Sequence, residues 1–141
     1  MLLKKKLQLF YFTSIFGVLF AVIGFSYNAW RLELTEDNNN IRTAAFEVLL
    51  QLSELEQVIY AAHYDQNTEE GSPRRGWVKV GLVTDLSTLI SSDVEQESAR
   101  LKSLWSAHWQ QVASDEEVVG QLIQQIDQLR ISIKTALTNL D

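Results

Sequence analysis

The stretch LQLFYFTSIFGVLFAVIGFSYNAW, from Leu7 to Trp30, dominates the architecture of this chain because none of its 24 residues is charged. An α-helix rises about 1.5 Å per residue, so this stretch spans about 36 Å and crosses a hydrocarbon core of about 30 Å. Aromatic side chains gather at both ends, at the depth of the two headgroup layers. They are Phe10, Tyr11, Phe12, Tyr27 and Trp30. We predict a transmembrane helix over residues 7–30, with the lipid bilayer around it.

The charges on the two sides of this segment predict its orientation. Three lysines precede it, Lys4 to Lys6, whereas the charged cluster that follows it is mainly acidic. Basic residues stay preferentially on the cytoplasmic side of a membrane. We therefore expect residues 1–6 to form a basic cytoplasmic N-terminus and the residues after 30 to lie outside the cytoplasm.

A cleaved signal peptide is the alternative to a membrane anchor. Gly24-Phe25-Ser26 has the small-x-small pattern of a cleavage site. The apolar run is longer than the core of a typical signal peptide, which favours an uncleaved signal anchor. A cleaved chain would instead be a free periplasmic chaperone or stress-binding protein.

Small residues share one face of the predicted membrane helix at spacings of three and four. They are Ser14, Gly17, Ala21, Gly24 and Asn28. Small side chains let two helices approach closely in lipid, and Asn adds a possible hydrogen bond between them. We predict that this face packs against another integral membrane protein or against a second copy of this chain as a homo-oligomer. The alternative is that small residues are simply common in membrane helices.

Acidic residues dominate the rest of the chain. The 141 residues carry a formal charge of -6, with 12 basic and 18 acidic residues, and all the acidic residues follow residue 30. This balance argues against a nucleic-acid partner. The absence of cysteine excludes disulfides, thiolate metal sites and a cysteine nucleophile. Since there is also no N-x-S/T triplet for glycans, we expect a bacterial inner membrane and a periplasmic domain rather than an animal cell surface.

Alternating apolar spacings of three and four predict helices after the anchor. We expect a hinge or linker over residues 31–40, because Asn38-Asn39-Asn40 is typical of a hinge or helix cap. Residues 41–141 should then form a periplasmic helical bundle. The first helix should end near Tyr64. Its apolar stripe is Ile41, Ala45, Val48, Leu52, Leu55, Ile59 and Ala62. The stripe of the last helix is Val119, Leu122, Ile126, Leu129, Ile133, Ala136 and Leu140.

Three capping patterns predict where the remaining helices begin. They are Ser72-Pro73, Ser92 with Glu95, and Ser114 with Glu117. We expect imperfect burial on the third helix, because Ser98 and His108 lie on its apolar stripe. Helices joined by short loops predict an all-α fold, with three to four helices in an antiparallel bundle.

The two histidines are the first candidates for chemistry. His63 and His108 have no second histidine at i+3 or i+4, and there is no HExxH motif. A joint site of His63, Asp65 and His108 would require the ends of the first and third helices to meet. No Ser/His/Asp order, paired carboxylates or nucleotide motif is present either. We therefore predict no catalysis, no cofactor and no metal.

Arg74 and Arg75 stand in the first turn of the second helix, where they oppose the positive end of the helix dipole. Such a conflict needs compensation. Either Glu69, Glu70 or Asp65 neutralises the pair locally, or the arginines bind a small anion or an acidic patch on a partner.

Trp77 and Trp109 are candidates for partner contacts, because tryptophan is enriched at interface hot spots. The alternative is that they pack within the bundle, as we expect for Trp105 on the third apolar stripe.

Two functions follow from these expectations. The first is an accessory, assembly or regulatory subunit that binds another membrane protein. The second is a sensory input module, because a first membrane helix followed by outer helices resembles the input half of chemoreceptor-type sensors with four-helix periplasmic domains. Those sensors return to the cytoplasm through a second membrane helix. Residues 31–141 contain no second apolar run, so a bound ligand would have to be reported through another chain.

Overall fold

The computed structural model of this protein describes residues 1–140 and every side chain among them except that of Leu2. The described residues form four α-helices and one short 3-10 turn, with no β-strand among them. The elements are α1 Leu2–His63, α2 Pro73–Ser87, α3 Ser92–His108, the 3-10 turn Trp109–Gln111 and α4 Glu116–Thr138. The prediction of an all-α fold is confirmed.

Two compact units divide the chain, and we call Met1–Asn38 the N-terminal unit and the residues from Asn39 onward the C-terminal unit. The boundary falls within the predicted linker, but residues 31–40 are helical, so the predicted cap at Asn38–Asn40 is wrong. No proline or glycine lies between Gly24 and Gly71. An asparagine inside a helix costs only about 0.5 kcal/mol relative to alanine, which does not end a helix.

The N-terminal unit is an apolar helix that the protein itself does not cover. Every residue from Leu3 to Asp37 is exposed. Among the described residues, one helix is long and apolar enough to cross a membrane, and none of its most apolar window is buried. Aromatic side chains contact one another along this helix, with ring centroids 5.1 Å apart for Phe16 and Phe20.

The C-terminal unit buries one apolar core to which all four helices contribute. The two longest predicted stripes supply most of it and are fully or nearly fully buried over their central turns. From α1 these residues are Ala45, Val48, Leu52, Leu55 and Ile59, and from α4 they are Val119, Leu122, Ile126, Leu129 and Ile133. Each large side chain contributes about 1.5 to 3 kcal/mol through this burial.

Ion pairs and close contacts set the register of the helices in this unit. Glu54 of α1 pairs with Lys79 of α2, and the backbone of Ala62 lies against Gly71 just before α2. The two helices therefore run in opposite directions along this contact. On the other side of α1, Arg130 of α4 donates to Glu56 at 2.5 Å.

The observed helix caps differ from two of the three predictions by one residue. Ser72 precedes α2 as predicted, although its side chain accepts no capping bond. Ser91 caps α3 instead of Ser92, accepting from Val94 N, and the helix gains the bond from Glu95 N to Ser91 O at 2.9 Å. Asp115 caps α4 instead of Ser114, because a carboxylate at a helix start also interacts favourably with the dipole.

The expectation of imperfect burial on α3 is wrong at Ser98. That serine is fully buried, and its hydroxyl donates to Glu95 O at 2.8 Å. A satisfied hydroxyl is compatible with an apolar core. The helix ends at His108, which is partly exposed, and Val112 reaches the core from the turn that follows.

Candidate functional site

The most irregular part of the C-terminal unit is the end where α1 stops, α2 starts and α3 turns towards α4; we call residues 58–77 with 105–113 the loop end. Two glycines allow close packing there. A Cβ on Gly71 would lie 2.4 Å from the backbone nitrogen of Ala62, and one on Gly76 would lie 2.1 Å from the Trp105 ring. The loop backbone therefore contacts α1 directly, and the start of α2 contacts the indole.

His63 and Gln66 connect the end of α1 to the turn after α3. His63 Nδ1 donates to Val112 O at 3.0 Å, because a carbonyl oxygen only accepts. Gln66 has a positive φ of 50° and donates through Nε2 to His63 O at 2.6 Å and to Ala113 O at 3.2 Å. These bonds hold an unusual backbone conformation and fix the distance between the two segments.

The structure does not place His63, Asp65 and His108 in a joint site. His63 bonds to Val112 O, whereas His108 Nδ1 bonds to the Gln111 side chain at 2.9 Å. Asp65 lines a separate polar groove. No group of three His, Asp or Glu side chains within residues 1–140 is placed to hold a metal ion.

The polar groove beside the loop end, about 470 Å³ in volume, contains Asp65 and the pairs that neutralise the α2 arginine and lysine. Arg75 pairs with Glu70 at 2.7 Å, and Lys79 pairs with Glu54. This agrees with the prediction of local compensation for Arg75. Three carboxylates and two cations line the groove, so its charge does not favour an anion. Arg74 is exposed, with no ion pair to any described side chain.

An apolar cavity of about 310 Å³, which the sequence pattern does not predict, lies at the loop end. Its lining residues include Val58 and Ala62 of α1, Trp105 of α3, and Trp109 and Val112 after α3, with the polar residues Gln66 and Gln110 among the rest. Trp105 is only 1 % exposed, and its Nε1 has no hydrogen-bond partner among the described atoms. The sequence signal was limited to Trp105 and Trp109, which lie one helical turn apart.

The two tryptophans predicted to contact a partner have different surroundings. Trp77 is exposed over 38 % of its surface, and its ring makes an edge contact with Trp105, 6.4 Å between centroids. Trp109 is half-buried in the cavity wall. Trp77 therefore remains available at the surface, whereas Trp109 mainly shapes the cavity.

A network of charges joins α1 to α4 away from the loop end. Tyr60 donates to Glu56 at 2.9 Å, and Arg130 donates to Glu56 and to Asp127. The hydrogen bond to Glu56, aided by desolvation, raises the pKa of Tyr60. Burial lowers the pKa of Arg130, but its bonds to Glu56 and Asp127 outweigh that effect and raise the pKa overall. These groups bond to one another and thereby hold α1 against α4.

The small-residue face of the N-terminal unit is open. Its five members Ser14, Gly17, Ala21, Gly24 and Asn28 are all exposed. A Cβ on Gly17 or Gly24 would meet no other atom within 4 Å. Nothing within this unit therefore requires glycine at either position.

Large apolar side chains on the outer faces of α1 and α2 were not selected as site residues from the sequence. We call Phe46, Leu50, Val78 and Leu82 the outer patch; all four are exposed, Phe46 over 61 % of its surface. Phe46 and Leu50 are four residues apart on the face opposite the core stripe. A search for a second apolar stripe on α1 would have found them.

The chain matches no protein-family model, no curated protein and no solved structure. Its function is therefore inferred from its own residues and their contacts.

Proposed function

We propose that this protein is a single-pass protein of a bacterial inner membrane that binds another integral membrane protein as an accessory, assembly or regulatory subunit, without catalysis. Its membrane helix and a periplasmic antiparallel bundle are the two binding parts. The observation that carries the proposal is that each unit leaves an apolar surface that its own residues do not cover. Exposed apolar surface of this kind on a small protein marks contact with lipid or with a partner.

The membrane part of the proposal is supported by the distribution of charge. Lys4, Lys5 and Lys6 precede the apolar helix, and acidic residues follow it, which favours a cytoplasmic N-terminus. The open face at Gly17 and Gly24 suits close packing against a second helix, because only small residues let two backbones approach within lipid.

The periplasmic part of the proposal is supported by the outer patch. Leu50 lies one turn before Glu54, and Leu82 lies about one turn after its ion-pair partner Lys79. Because α1 and α2 run in opposite directions there, the two leucines lie at the same level. Leucine and phenylalanine exposed together on adjacent helices form the kind of apolar centre on which a partner buries its own side chains.

The absence of catalysis is part of the proposal for two reasons. The sequence has no cysteine and no nucleophile motif, and the partly buried charges pair with one another. Glu54 bonds to Lys79, and Glu56 bonds to Arg130 and Tyr60, which leaves these carboxylates engaged in holding helices together.

Co-purification of the tagged full chain in a mild non-ionic detergent tests the proposal. We expect one membrane protein to be recovered in constant ratio with the wild-type chain. Replacing both Phe46 and Leu50 by Ser should weaken partner binding about thirtyfold, since two hot-spot side chains at about 1 kcal/mol each contribute about 2 kcal/mol together. The matched control is Ile131→Ser, which removes an equally exposed apolar side chain from α4.

Recovery of the chain alone, or an equal loss in the Ile131→Ser control, would contradict the proposal. Recovery of a second copy of this chain as the only partner would mean that the binding surfaces form a homo-oligomer instead. Replacing Gly17 and Ala21 by Leu separates the two binding parts: a loss of partner in this variant assigns contact to the membrane helix as well.

A further inference from the structure

The face of α1 opposite its core stripe carries no charge in the C-terminal unit. Its members follow one another at alternating steps of three and four residues, which is heptad spacing, and all of them are exposed. We call them the outer stripe; they are Thr43, Phe46, Leu50, Ser53, Gln57 and Tyr60. In a parallel pair of identical helices each residue of such a stripe faces its own copy. An uncharged stripe can therefore pair with itself without bringing like charges together.

Charges at the two edges of the outer stripe are arranged for pairing with a second copy. With Thr43 at heptad position a and Phe46 at d, Arg42 occupies g on one edge and Glu47 occupies e on the other. In a parallel pair, a g residue faces the e residue five positions later on the other helix. Arg42 then faces Glu47 of the second copy. Glu47 accepts from Gln51 at 2.9 Å within its own chain, and a carboxylate has further sites for an arginine.

The remaining g and e positions beside the outer stripe bring no like charges together in a parallel pair. Leu49 would face Glu54, and Glu56 would face Ala61, so each of these pairs contains a single charge. An antiparallel pair would instead place the two e edges side by side, and these edges carry Glu47 and Glu54. The charges therefore favour a parallel pair.

The N-terminal unit shows the same charge order after its most apolar part. Arg31 and Glu36 are five residues apart, and the exposed, uncharged Leu32 and Thr35 lie between them at the spacing of a and d. Neither charged residue forms an ion pair with another described side chain. Neighbours on one helix face are three or four residues apart, so Arg31 and Glu36 do not meet within one chain. In a parallel pair Arg31 faces Glu36 of the second copy.

We propose that two copies of this protein pair in parallel through α1, with their outer stripes in contact. The ion pairs between the copies are Arg31–Glu36 and Arg42–Glu47, each formed twice. Two copies anchored in one membrane enter it in the same direction, which agrees with a parallel pair.

This inference rests on the proposed function, because it assigns one half of the outer patch to a second copy. Phe46 and Leu50 of α1 contact the second copy, whereas Val78 and Leu82 of α2 are left for the other membrane protein. Phe46 and Leu50 then affect binding of that protein through the pairing, because paired copies present two α2 faces to it at once.

Disulfide formation by one introduced cysteine tests the pairing in membranes of cells that express the full chain. The chain has no cysteine, so Ser53→Cys supplies the only thiol, at a d position where two parallel helices face each other. We expect a covalent dimer after oxidation. The matched control is Ser103→Cys, at an exposed serine of α3, which should remain monomeric. Absence of the dimer in Ser53→Cys, an equal yield in Ser103→Cys, or a covalent link to a different protein would overturn the proposal.

An exchange of charges distinguishes a second copy from any other partner. In the Ser53→Cys chain, Arg31→Glu should lower the initial rate of disulfide formation about fivefold, because like charges replace two exposed ion pairs. Adding Glu36→Arg restores opposite charges only if the facing helix is a second copy, and it should restore the rate. An unchanged rate in Arg31→Glu, or a rate that stays low in the double variant, would overturn the pairing of these edges.

The disulfide measurement does not depend on the other membrane protein. A dimer without a co-purified membrane protein supports the pairing and contradicts the proposed function. A co-purified membrane protein without the dimer contradicts the pairing and leaves the proposed function supported.

Discussion

The two units of this protein are both helical and rich in apolar residues, yet they distribute those residues differently. In the N-terminal unit apolar side chains point in every direction, and all of them from Leu3 to Leu34 are exposed. In the C-terminal unit they form stripes that the neighbouring helices bury, with charged residues mostly outside. A helix that is apolar all round requires burial on every side, in lipid or in protein, whereas a helix that is apolar on one face requires other helices on that face alone. The arrangement of apolar residues, more than their number, therefore distinguishes the two units.

Two leucines of α1 provide the strongest test of the stripe in the C-terminal unit. Leu52 is fully buried, whereas Leu50, two residues earlier, is 52 % exposed. Leu52→Ala should lower the free energy of unfolding by about 3.5 kcal/mol, because it removes buried contacts and leaves a cavity. Leu50→Ala should change it by less than about 0.5 kcal/mol. Urea unfolding followed by circular dichroism measures both, and similar losses in the two variants would contradict the assignment of faces.

Two equally exposed residues test the difference between the units. Phe16 in the N-terminal unit is 54 % exposed, and Ile131 on α4 is 58 % exposed. Phe16→Lys should disfavour membrane insertion by about 3 kcal/mol, because it places a charge in the hydrocarbon core. Ile131→Lys should leave insertion unchanged. The fraction that resists alkaline extraction from membranes is the measurement, and a full membrane fraction for Phe16→Lys would argue against a transmembrane helix.

The third comparison, with the smallest expected effect on stability, is between one glycine of each unit. Gly71→Ala should destabilise the C-terminal unit by about 2 kcal/mol, because its Cβ would meet the backbone of Ala62, which cannot rotate away. Gly17→Ala should leave the unfolding temperature of that unit unchanged, since open space surrounds it. Thermal unfolding of the full chain in detergent compares the two. An unchanged melting temperature for Gly71→Ala would mean that the loop does not pack against α1.

Much of the fold was predictable because it depends on local pattern. The stripes of α1 and α4 follow from spacings of three and four, which hold wherever a helix packs along its length. Boundaries were less predictable. Adjacent residues with similar capping ability, such as Ser91 and Ser92, differ by too little free energy for sequence to choose between them. The predicted helix cap at Asn38–Asn40 was wrong because asparagines favour a break in a helix but, without glycine or proline, do not enforce one.

The contacts at the candidate sites also divide into those that sequence spacing predicts and those that it does not. The pairing of Arg75 with Glu70 was predictable because the two residues are five apart and share one loop and helix start. The cavity was not, because Val58 and Gly71 are distant in sequence from Trp105 and Ala113, and they meet only when these chain segments pack together. The bond from His63 to Val112 O joins residues 49 apart, and no spacing rule anticipates it.

Charge-free length and apolar periodicity, both readable along the chain, were enough to identify the long apolar N-terminal helix, the all-α class and most of the core. These properties depend on each residue and its neighbours within one or two helical turns. The loop-end cavity and the unpaired Trp105 nitrogen emerged only once the helices were packed. Such features depend on which side chains remain uncovered or without a hydrogen-bond partner after packing. This is decided by the positions of all the helices together and not by any one segment.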